Sequence, residues 1–380
     1  MYKVLVACLE NWDTLMELPF VLKKGGCTVD VFCSKDSWLL KNQYYNNWIE
    51  SPSDVDQYQQ QLLQISLDKD ADYHWVILGD EKLLKIISEH PGLSNNELCE
   101  KILPVYDIKN KPIMGSKYGL CLLCDEHDFT APAYLGYFHD PAFNPDHFPL
   151  KFPILLKQDL SWGGGGNIQC NNQAEFKTAL KKLNTKYPYI FQELIEGRDI
   201  GVEAFYDKGV LLNYNAGEVV SYFKSKFSFT TKREYFLNDD IRFLLEKIGL
   251  AFTINGFASI QFIYNENENK YYLIECDLRP NFYVPSGRFT GQDFSEAIKK
   301  KINPEYQIPV NTKLGKSHQI EVALFYRDII KCIKQRDLIG LIKWIINYKG
   351  YWRFIPLYDF NLFKNIMKEL FLQKLLKIKN

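Results

Sequence analysis

Residues 154–169, ILLKQDLSWGGGGNIQ, place a short apolar run and a lysine shortly before four consecutive glycines. The apolar run that ends near Lys157 predicts a buried β-strand. Glycine has no side chain to pack and loses much backbone freedom on folding, so the strand cannot continue through residues 163–166. Such a loop lets backbone N–H groups approach phosphate oxygens closely, and a plain surface loop is the alternative.

The order of the lysine and the glycines excludes a P-loop. A P-loop has the pattern G-x-x-x-x-G-K-[ST], in which the lysine follows the glycines. Here Lys157 precedes them, and no lysine comes directly after residue 166. The first 105 residues also lack G-x-G-x-x-G, so a dinucleotide-binding fingerprint is not supported.

The N-terminal part of the chain alternates between strand and helix patterns. Buried strands are predicted for KVLVACL, CTVDVFC and HWVILGD, and helices for TLMELPFVLKKGG and EKLLKIISEH. This alternation predicts a small open α/β domain with a parallel sheet. Further along, a helix is predicted over residues 116–128, proline-rich loops over 132–149, and a β-hairpin over 256–280.

Two carboxylates lie on the second strand of that hairpin. Glu275 and Asp277 are two residues apart, so both side chains point to the same face. Carboxylates placed in this way repel each other unless a cation lies between them, and Mg²⁺ prefers oxygen ligands. Gln261 on the partner strand offers another oxygen, and Arg279 offers a bidentate phosphate contact. A solvated strand face is the alternative interpretation.

Taken together, these motifs resemble the ATP-grasp superfamily, in particular the carbamoyl-phosphate-synthetase-like carboxylate–amine ligases, over about residues 113–300. Lys117 and Lys157 match the two cationic positions, the second of which precedes a glycine-rich loop. QELIEGRD matches the adenine hinge, and QF followed by ECDLR matches the last motif. The resemblance implies an α/β fold of the ATP-grasp type.

The resemblance also implies how the chain is divided. The implied parts are a small open α/β domain, a lid subdomain with the glycine-rich loop, an antiparallel-sheet core, and a helical extension. The corresponding boundaries are 1–112, 113–190, 191–310 and 311–380.

Each matched residue carries an implied role. ATP would be held by Lys117, Lys157, Gly163, Gly164, Gly165, Gly166, Gln192, Glu193, Leu194 and Asp199, with Glu193 and Leu194 at adenine and Asp199 at the ribose. Mg²⁺, or Mn²⁺ in its place, would be held by Gln261, Glu275 and Asp277. Arg279 would act with Lys157 in catalysis, and Arg288 is a candidate for holding the substrate carboxylate, with a surface arginine as the alternative.

The implied reaction is an ATP-dependent joining of a carboxylate to an amine through an acyl phosphate. A hydroxyl kinase and a non-catalytic nucleotide-binding protein associated with a membrane are the alternatives. Several positions depart from the family pattern, because Gln158 stands where proline is usual, Asp277 where asparagine is usual, and Asp199 where glutamate is usual. These departures indicate a divergent member. Lys224 and Lys226 could reach phosphates or lie on an exposed strand.

The net charge and the cysteine content of the chain indicate where the protein acts and what it binds. The formal net charge is zero, which does not favour nucleic-acid binding. The nine cysteines are scattered, and Cys121 and Cys124 are predicted to be buried free thiols, as expected in a reducing cytosol. Neither a signal peptide nor a membrane-spanning run is predicted, so we expect a cytoplasmic protein acting on small molecules.

The last seventy residues differ from the rest in charge. Residues 311–380 contain 14 Lys or Arg and 5 Asp or Glu, a net charge of +9. Three interpretations are open for this segment: helices that dock on the ligase core, peripheral contact with the inner face of an anionic membrane, or a role with a partner protein or nucleic acid. Assembly as a homodimer is left open as well.

Overall fold

A computed structural model describes residues 2–94, 96–161, 166–311, 313–314 and 319–378. Its first sheet is parallel, as the alternating pattern predicts, and its four strands lie side by side in the order Asn47–Glu50, Thr28–Cys33, Lys3–Ala7 and Trp75–Leu78. The elements of this part are β1 (Lys3–Ala7), α1 (Leu18–Lys24), β2 (Thr28–Cys33), β3 (Asn47–Glu50), α2 (Val55–Leu67), β4 (Trp75–Leu78), α3 (Glu81–Ser88) and α4 (Asn96–Ile102). Helix α1 begins later than predicted, because Pro19 in its first turn favours a helix start there.

An antiparallel sheet of four strands follows, and we call it the lid sheet. Its elements are α5 (Lys117–Glu126), β5 (Tyr134–Tyr137), β6 (Ile154–Gln158), β7 (Ile168–Cys170), α6 (Gln173–Leu180) and β8 (Tyr189–Glu193), in the strand order β5-β8-β6-β7. The prediction of loops over 132–149 was wrong for β5. Its side chains Leu135 and Tyr137 pack on the apolar cluster around Phe176 and Phe191, which stabilises a strand there.

The third sheet has six antiparallel strands, in the order β13-β12-β9-β10-β11-β14, and we call it the core sheet. Its elements are β9 (Arg198–Asp207), β10 (Val210–Tyr222), β11 (Thr230–Phe236), α7 (Asp239–Ala251), β12 (Gly256–Asn265), β13 (Lys270–Asp277), α8 (Gly287–Thr290), α9 (Phe294–Ile302) and β14 (Ile320–Ala323). Short 3-10 helices span Asp13–Leu15, Trp38–Lys41, Ile108–Ile113, Pro145–His147, Val284–Ser286 and Tyr348–Phe354.

Side chains alternate between the two faces of the core sheet, as expected for strands with one buried face. On β9 and β12, Ile200, Val202 and Ile260 point into the main apolar core. The residues between them point to the opposite face, which carries the polar groups of the predicted site. The alternation of the strands therefore separates the groups that stabilise the fold from those that could do chemistry.

The C-terminal segment is integrated with the rest of the chain. It contributes β14, which pairs with β11 at the edge of the core sheet, and then the helices α10 (Phe325–Gln335), α11 (Leu338–Ile345) and α12 (Phe360–Ile378). This strand was not predicted from the sequence. The first of the three interpretations of residues 311–380 named docked helices only, so the pairing of β14 with β11 goes beyond it.

The structure shows the state of the cysteines and the character of the helices. All nine cysteines are buried free thiols, which confirms the prediction for Cys121 and Cys124. No helix among the described residues combines the length and the apolar character needed to cross a bilayer.

Candidate active site

A cavity of about 680 Å³ lies between the lid sheet and the core sheet. It brings together most of the residues predicted from sequence, which are Lys117, Lys157, Gln192, Glu193, Leu194, Asp199, Gln261, Glu275, Asp277 and Arg279. Gly163, Gly164 and Gly165 lie outside the described residues. Gly166 is described and exposed, with φ of +85°, and it is not one of the residues lining the cavity.

Lys157 stands near the end of β6 and points into the cavity. Its Nζ donates a hydrogen bond to Oε1 of Gln192 at 2.7 Å, and the pair is part-buried. Desolvation lowers the pKa of Lys157 to about 8, which Lys117 reinforces and the Glu275 carboxylate opposes. A desolvated cation of this kind is stabilised when an anionic ligand enters the cavity.

Lys117 begins α5 and is tied to the segment that leads into the glycine run. Ser116 caps the helix by accepting a hydrogen bond from the Gly119 N–H at 2.9 Å. The Nζ of Lys117 donates to the carbonyl oxygens of Asp159 and Ser161 at 3.1 and 2.8 Å. Within the described residues, neither Lys117 nor Lys157 has a carboxylate at ion-pair distance, so these two lysines of the cavity lack a counter-ion.

The register of the hairpin places the predicted oxygen ligands side by side. Gln261 on β12 lies opposite Glu275 on β13, and Ser259 lies opposite Asp277. In the part of the chain that the structure describes, the side chains of Gln261 and Glu275 make no hydrogen bond or ion pair. One amide and two carboxylate oxygens on one face suit Mg²⁺, which keeps water and phosphate oxygens as its remaining ligands.

The metal would depend on the nucleotide for part of its coordination. Among the described residues, no group of three or more His, Cys, Asp or Glu side chains is arranged to hold a metal ion by itself. The donor set of the hairpin therefore fits Mg²⁺ bound together with phosphates, and does not fit a site closed by protein ligands alone.

A buried glutamate from the N-terminal part of the chain completes this cluster, and sequence reasoning missed it. Glu81 begins α3 and forms an ion pair with Arg279, whose Nε donates to Oε1 of Glu81 at 3.2 Å. Arg279 also pairs with Asp277 at 3.1 Å. The available signal was its position, because Glu81 follows the carboxyl end of β4, where ligands bind in open parallel sheets.

Burial and charge act against each other in this cluster. Burial would raise the pKa of Glu81, but Arg279, Asp277 and Lys117 together outweigh burial, so the pKa lies below the ordinary value. Burial, together with the nearby carboxylates Glu81 and Glu275, raises the pKa of Asp277 well above its usual range. A divalent cation beside Asp277 would relieve this repulsion, which is the structural observation that supports a metal at this position.

A buried ion pair forms a second cationic feature of the cavity wall. Arg233 on β11 donates to Glu203 on β9 at 2.7 Å, and Asn281 donates to the same carboxylate oxygen at 2.9 Å. The guanidinium packs against Gly201, where a Cβ atom would stand 2.3 Å from Cζ of the arginine and would displace the buried guanidinium. Within the described residues, Nε of Arg233 has no hydrogen-bond partner.

The predicted hinge residues line an apolar part of the cavity. The backbone N–H of Glu193 donates to the Ala133 carbonyl at 2.9 Å, and that of Leu194 donates to the Pro153 carbonyl at 3.0 Å. Both N–H groups are therefore occupied within the protein. Further groups lining the cavity nearby are Pro132, Leu155, Ile195, Phe262, Ile263 and Ile274, which suit the flat apolar surface of a base.

Asp199, the residue predicted to bind ribose, already makes contacts within the protein. Asp199 accepts a hydrogen bond from the hydroxyl of Tyr222 and forms an ion pair with Lys226 at 3.4 Å. Lys226 also lines the cavity, whereas Lys224 is not among the lining residues. A ribose hydroxyl at Asp199 would therefore share or displace the contact with Lys226.

Arg288 lies apart from the other predicted residues. It is not among the residues that line the cavity, and its Nη2 donates to Oε2 of Glu17 at 3.0 Å. Its guanidinium also lies over the rings of Tyr358 and Phe289, at 4.5 and 4.6 Å. Because Arg288 links the N-terminal part to the C-terminal segment in this way, the geometry does not support its role at the substrate carboxylate.

The C-terminal segment supplies a wall of the cavity that was not predicted. Helix α10 contributes Tyr326, Arg327, Ile330 and Lys334. Another wall of the cavity is formed by residues 11–14 and Trp38, which belong to the N-terminal part of the chain. The two walls are joined, because Nε of Arg327 donates to Oδ2 of Asp13 at 2.7 Å.

The pKa of Lys157 leads to a testable prediction. Above about pH 8 the free protein holds this lysine increasingly neutral, whereas a bound phosphate favours its charged form, so ATP binding should take up close to one proton at about pH 9 and little at pH 6.5. Titration calorimetry in two buffers of different ionisation enthalpy measures the uptake. In Lys157→Arg, which stays charged throughout, the uptake should disappear, and an unchanged uptake would contradict the placement of Lys157 at phosphate.

Comparisons with known proteins identify solved structures with a similar fold. No protein-family model matches the chain, and no curated protein matches it by sequence. Among solved structures, the carboxyaminoimidazole ribonucleotide synthase from Aspergillus clavatus complexed with ATP matches with a TM-score of 0.63 and 14% identity, covering 84% of this chain and 81% of that one.

Two further solved structures have similar scores. The biotin carboxylase domain of the Hydrogenobacter thermophilus 2-oxoglutarate carboxylase, in complex with MgADP and bicarbonate, matches with a TM-score of 0.61 and 15% identity, covering 84% of this chain and 74% of that one. The L-amino acid ligase from Bacillus licheniformis matches with a TM-score of 0.57 and 14% identity, covering 80% and 74%.

Proposed function

Because the chain has the ATP-grasp fold, we propose that it is an ATP-dependent carboxylate–amine ligase that uses Mg²⁺. One observation carries the proposal. Among the described residues, the same cavity holds Lys117 and Lys157 without counter-ions, and the hairpin residues Gln261 and Glu275 without a hydrogen-bond or ion-pair partner. Cations on one side and oxygen ligands on the other are complementary to a magnesium-bound polyphosphate. Similar structures that were solved with ATP, ADP or MgADP bound support the same ligand.

The residues of this chain would act mainly by position and charge. Phosphoryl transfer needs little covalent help from the protein, but it needs charge stabilisation and alignment. Lys117 and Lys157 would hold the phosphates, and Gln261, Glu275 and Asp277 would hold Mg²⁺, which neutralises phosphate charge when bound. Arg279 would stabilise the phosphoryl group in transfer.

The proposed reaction has two steps. A carboxylate oxygen of the substrate attacks the terminal phosphorus, which gives an acyl phosphate and releases ADP. The amine nitrogen then attacks the acyl carbon, the amine loses a proton, and phosphate leaves. The lid would exclude water in between, because water would hydrolyse the acyl phosphate.

We place the substrate acid in the part of the cavity away from the hinge. There, the walls from residues 11–14 and from α10 enclose aromatic side chains, among them Trp12, Phe229 and Tyr326. The hydroxyl of Thr14 is buried without a hydrogen-bond partner in the described residues, which favours a substrate with a polar group at this position. These features support an acid that carries a ring or another apolar body together with a polar group.

The domain boundaries, the cellular location, the partners and the oligomeric state are part of the same proposal. We propose the division into segments 1–112, 113–190, 191–310 and 311–380, with activity in the cytoplasm on small-molecule carboxylate and amine substrates. We also propose that the chain assembles as a homodimer and that residues 311–380 contact the inner face of a membrane. One similar structure is described as a domain dimer.

A screen for ADP release tests the proposed function. The full chain is incubated with Mg²⁺ and ATP, and with pools of carboxylic acids and amines in all combinations. We expect ADP release that requires one acid, rises further when one amine is added, and is absent with Lys157→Ala. ADP release that depends on a hydroxyl compound and needs no carboxylate would contradict the ligase and favour a kinase.

A further inference from the structure

Helix α11 presents an apolar face to solvent. At 3.6 residues per turn, the exposed apolar residues of α11 and its last turn fall within a stripe about 120° wide. These residues are 52% to 71% exposed, and they are Leu338, Ile339, Ile342, Ile345 and Ile346. On the other side Trp344 is buried, and its Nε1 donates to Oδ2 of Asp328 at 2.7 Å. The helix is thus anchored on one face and unpartnered and apolar on the other.

Helix α12 also exposes apolar side chains to solvent, and the same side of the helix carries lysines. Phe360, Met367 and Phe371 are exposed and spaced at seven and four residues, which places them along one side of the helix. Lys364 and Lys368 are exposed on the same side. Aromatic and aliphatic side chains mixed with lysines on one face are typical of helices that lie in a membrane interface.

The charge around the two helices is strongly positive. Residues 331–372 contain eight lysines or arginines and only three acids. Each acid is engaged by the protein: Asp337 caps Gly340 N–H at 2.8 Å, Asp359 accepts from Gln43 N–H at 3.0 Å, and Glu369 pairs with Lys41 at 3.0 Å.

Several of these cations are left without a counter-ion. Within the part of the chain that the structure describes, Lys343, Lys364 and Lys368 make no ion pair. The apolar stripe on α11 therefore lies in a segment whose net positive charge favours an anionic partner.

We propose that the exposed faces of α11 and α12 lie on an anionic lipid bilayer, with the isoleucines among the acyl chains and the lysines at the headgroups. Lipid supplies both an apolar phase for the stripe and negative charge for the lysines, which extend to the headgroups from a shallow depth. A second copy fits less well, because a symmetric contact through this face would bring the same cations together. Nucleic acid would leave the isoleucine stripe unused.

Co-sedimentation with vesicles tests this surface. The full-length chain is mixed with phosphatidylcholine vesicles and with vesicles that contain phosphatidylglycerol, at physiological salt. We expect binding to the anionic vesicles only, and loss of at least about tenfold in affinity for the triple variant Ile339→Ser, Ile342→Ser, Ile345→Ser. The matched control replaces three similarly exposed residues of the core-sheet region, Val210→Ser, Phe243→Ser and Leu250→Ser, and should bind as the unmodified chain does.

Other outcomes would overturn the proposal. Equal binding of both triple variants would do so, as would the absence of vesicle binding by the unmodified chain. A change of molar mass in solution for the α11 variant, without vesicle binding, would assign the face to a second copy. The inference does not rest on the proposed reaction, because vesicle binding is measured without substrates and ADP release without lipid.

Discussion

Lys157→Ala is expected to lower ATP-dependent turnover by at least about 100-fold while the protein stays folded. Removal of a single preorganised charge that stabilises a transition state costs this much in other enzymes. Lys157 is part-buried in the cavity wall and has no carboxylate partner among the described residues, so it contributes little to the fold by ion pairing. Steady-state ADP release measures the effect, and circular dichroism monitors the fold.

The stability of this variant provides a second readout. Burial holds the pKa of Lys157 at about 8, below its ordinary value, so the folded protein binds this proton less tightly than the unfolded chain does. At neutral pH the charge therefore opposes folding, and this cost disappears as the pH rises through 8 towards the unfolded pKa. We expect a melting temperature for Lys157→Ala that is not lowered at pH 7.

A matched control is available shortly before the same strand. Lys151 is exposed on the approach to β6, and its side chain has no hydrogen bond or ion pair within the described residues. Lys151→Ala should retain the activity of the unmodified protein. Near-full activity in Lys157→Ala would contradict the placement of this lysine at the phosphates.

Asp277→Asn is expected to reduce activity on the order of 100-fold or more and to weaken its dependence on Mg²⁺. The amide keeps the shape of the side chain but removes the negative charge that would attract the cation. It also releases Arg279 from one of its two carboxylate partners, while Glu81 continues to hold the guanidinium. Activity measured against Mg²⁺ concentration separates a higher metal requirement from a lower maximal rate.

The control for this substitution is an acid of the same subdomain that lies away from the cavity. Asp240 is exposed in the first turn of α7, and Asp240→Asn should leave the Mg²⁺ dependence unchanged. If Asp277→Asn showed the same Mg²⁺ dependence as the unmodified protein, the hairpin would not be the metal site. Glu275→Gln would then show whether the neighbouring carboxylate holds the ion alone.

The sequence predicted well what is encoded by local pattern. Alternation along the hairpin placed Gln261, Glu275 and Asp277 on one face, and the register of β12 and β13 brings them together. The apolar run before Lys157 predicted β6, which delivers this lysine to the cavity. These features depend on strand period and on short spacing, which single-sequence reasoning can read.

Contacts between distant parts of the chain were not predictable in the same way. Glu81 meets Arg279 across 198 residues, and Arg327 meets Asp13 across 314. Such pairings depend on how separately patterned elements pack. Arg288 illustrates the same point, because its local sequence suited a substrate contact, whereas Glu17 and Tyr358 hold it outside the cavity. The role of α10 as a cavity wall arises because β14 first joins the core sheet.

Trapping with hydroxylamine tests the central claim most directly. Hydroxylamine replaces the amine and converts an acyl phosphate into a stable hydroxamate, which mass spectrometry identifies. With Mg²⁺, ATP and the acid found in the ADP-release screen, we expect a hydroxamate of that acid, formed in step with ADP and absent with Lys157→Ala. ADP release with that acid and no hydroxamate, together with a phosphate ester in the products, would show that the cavity phosphorylates a hydroxyl and would contradict the ligase.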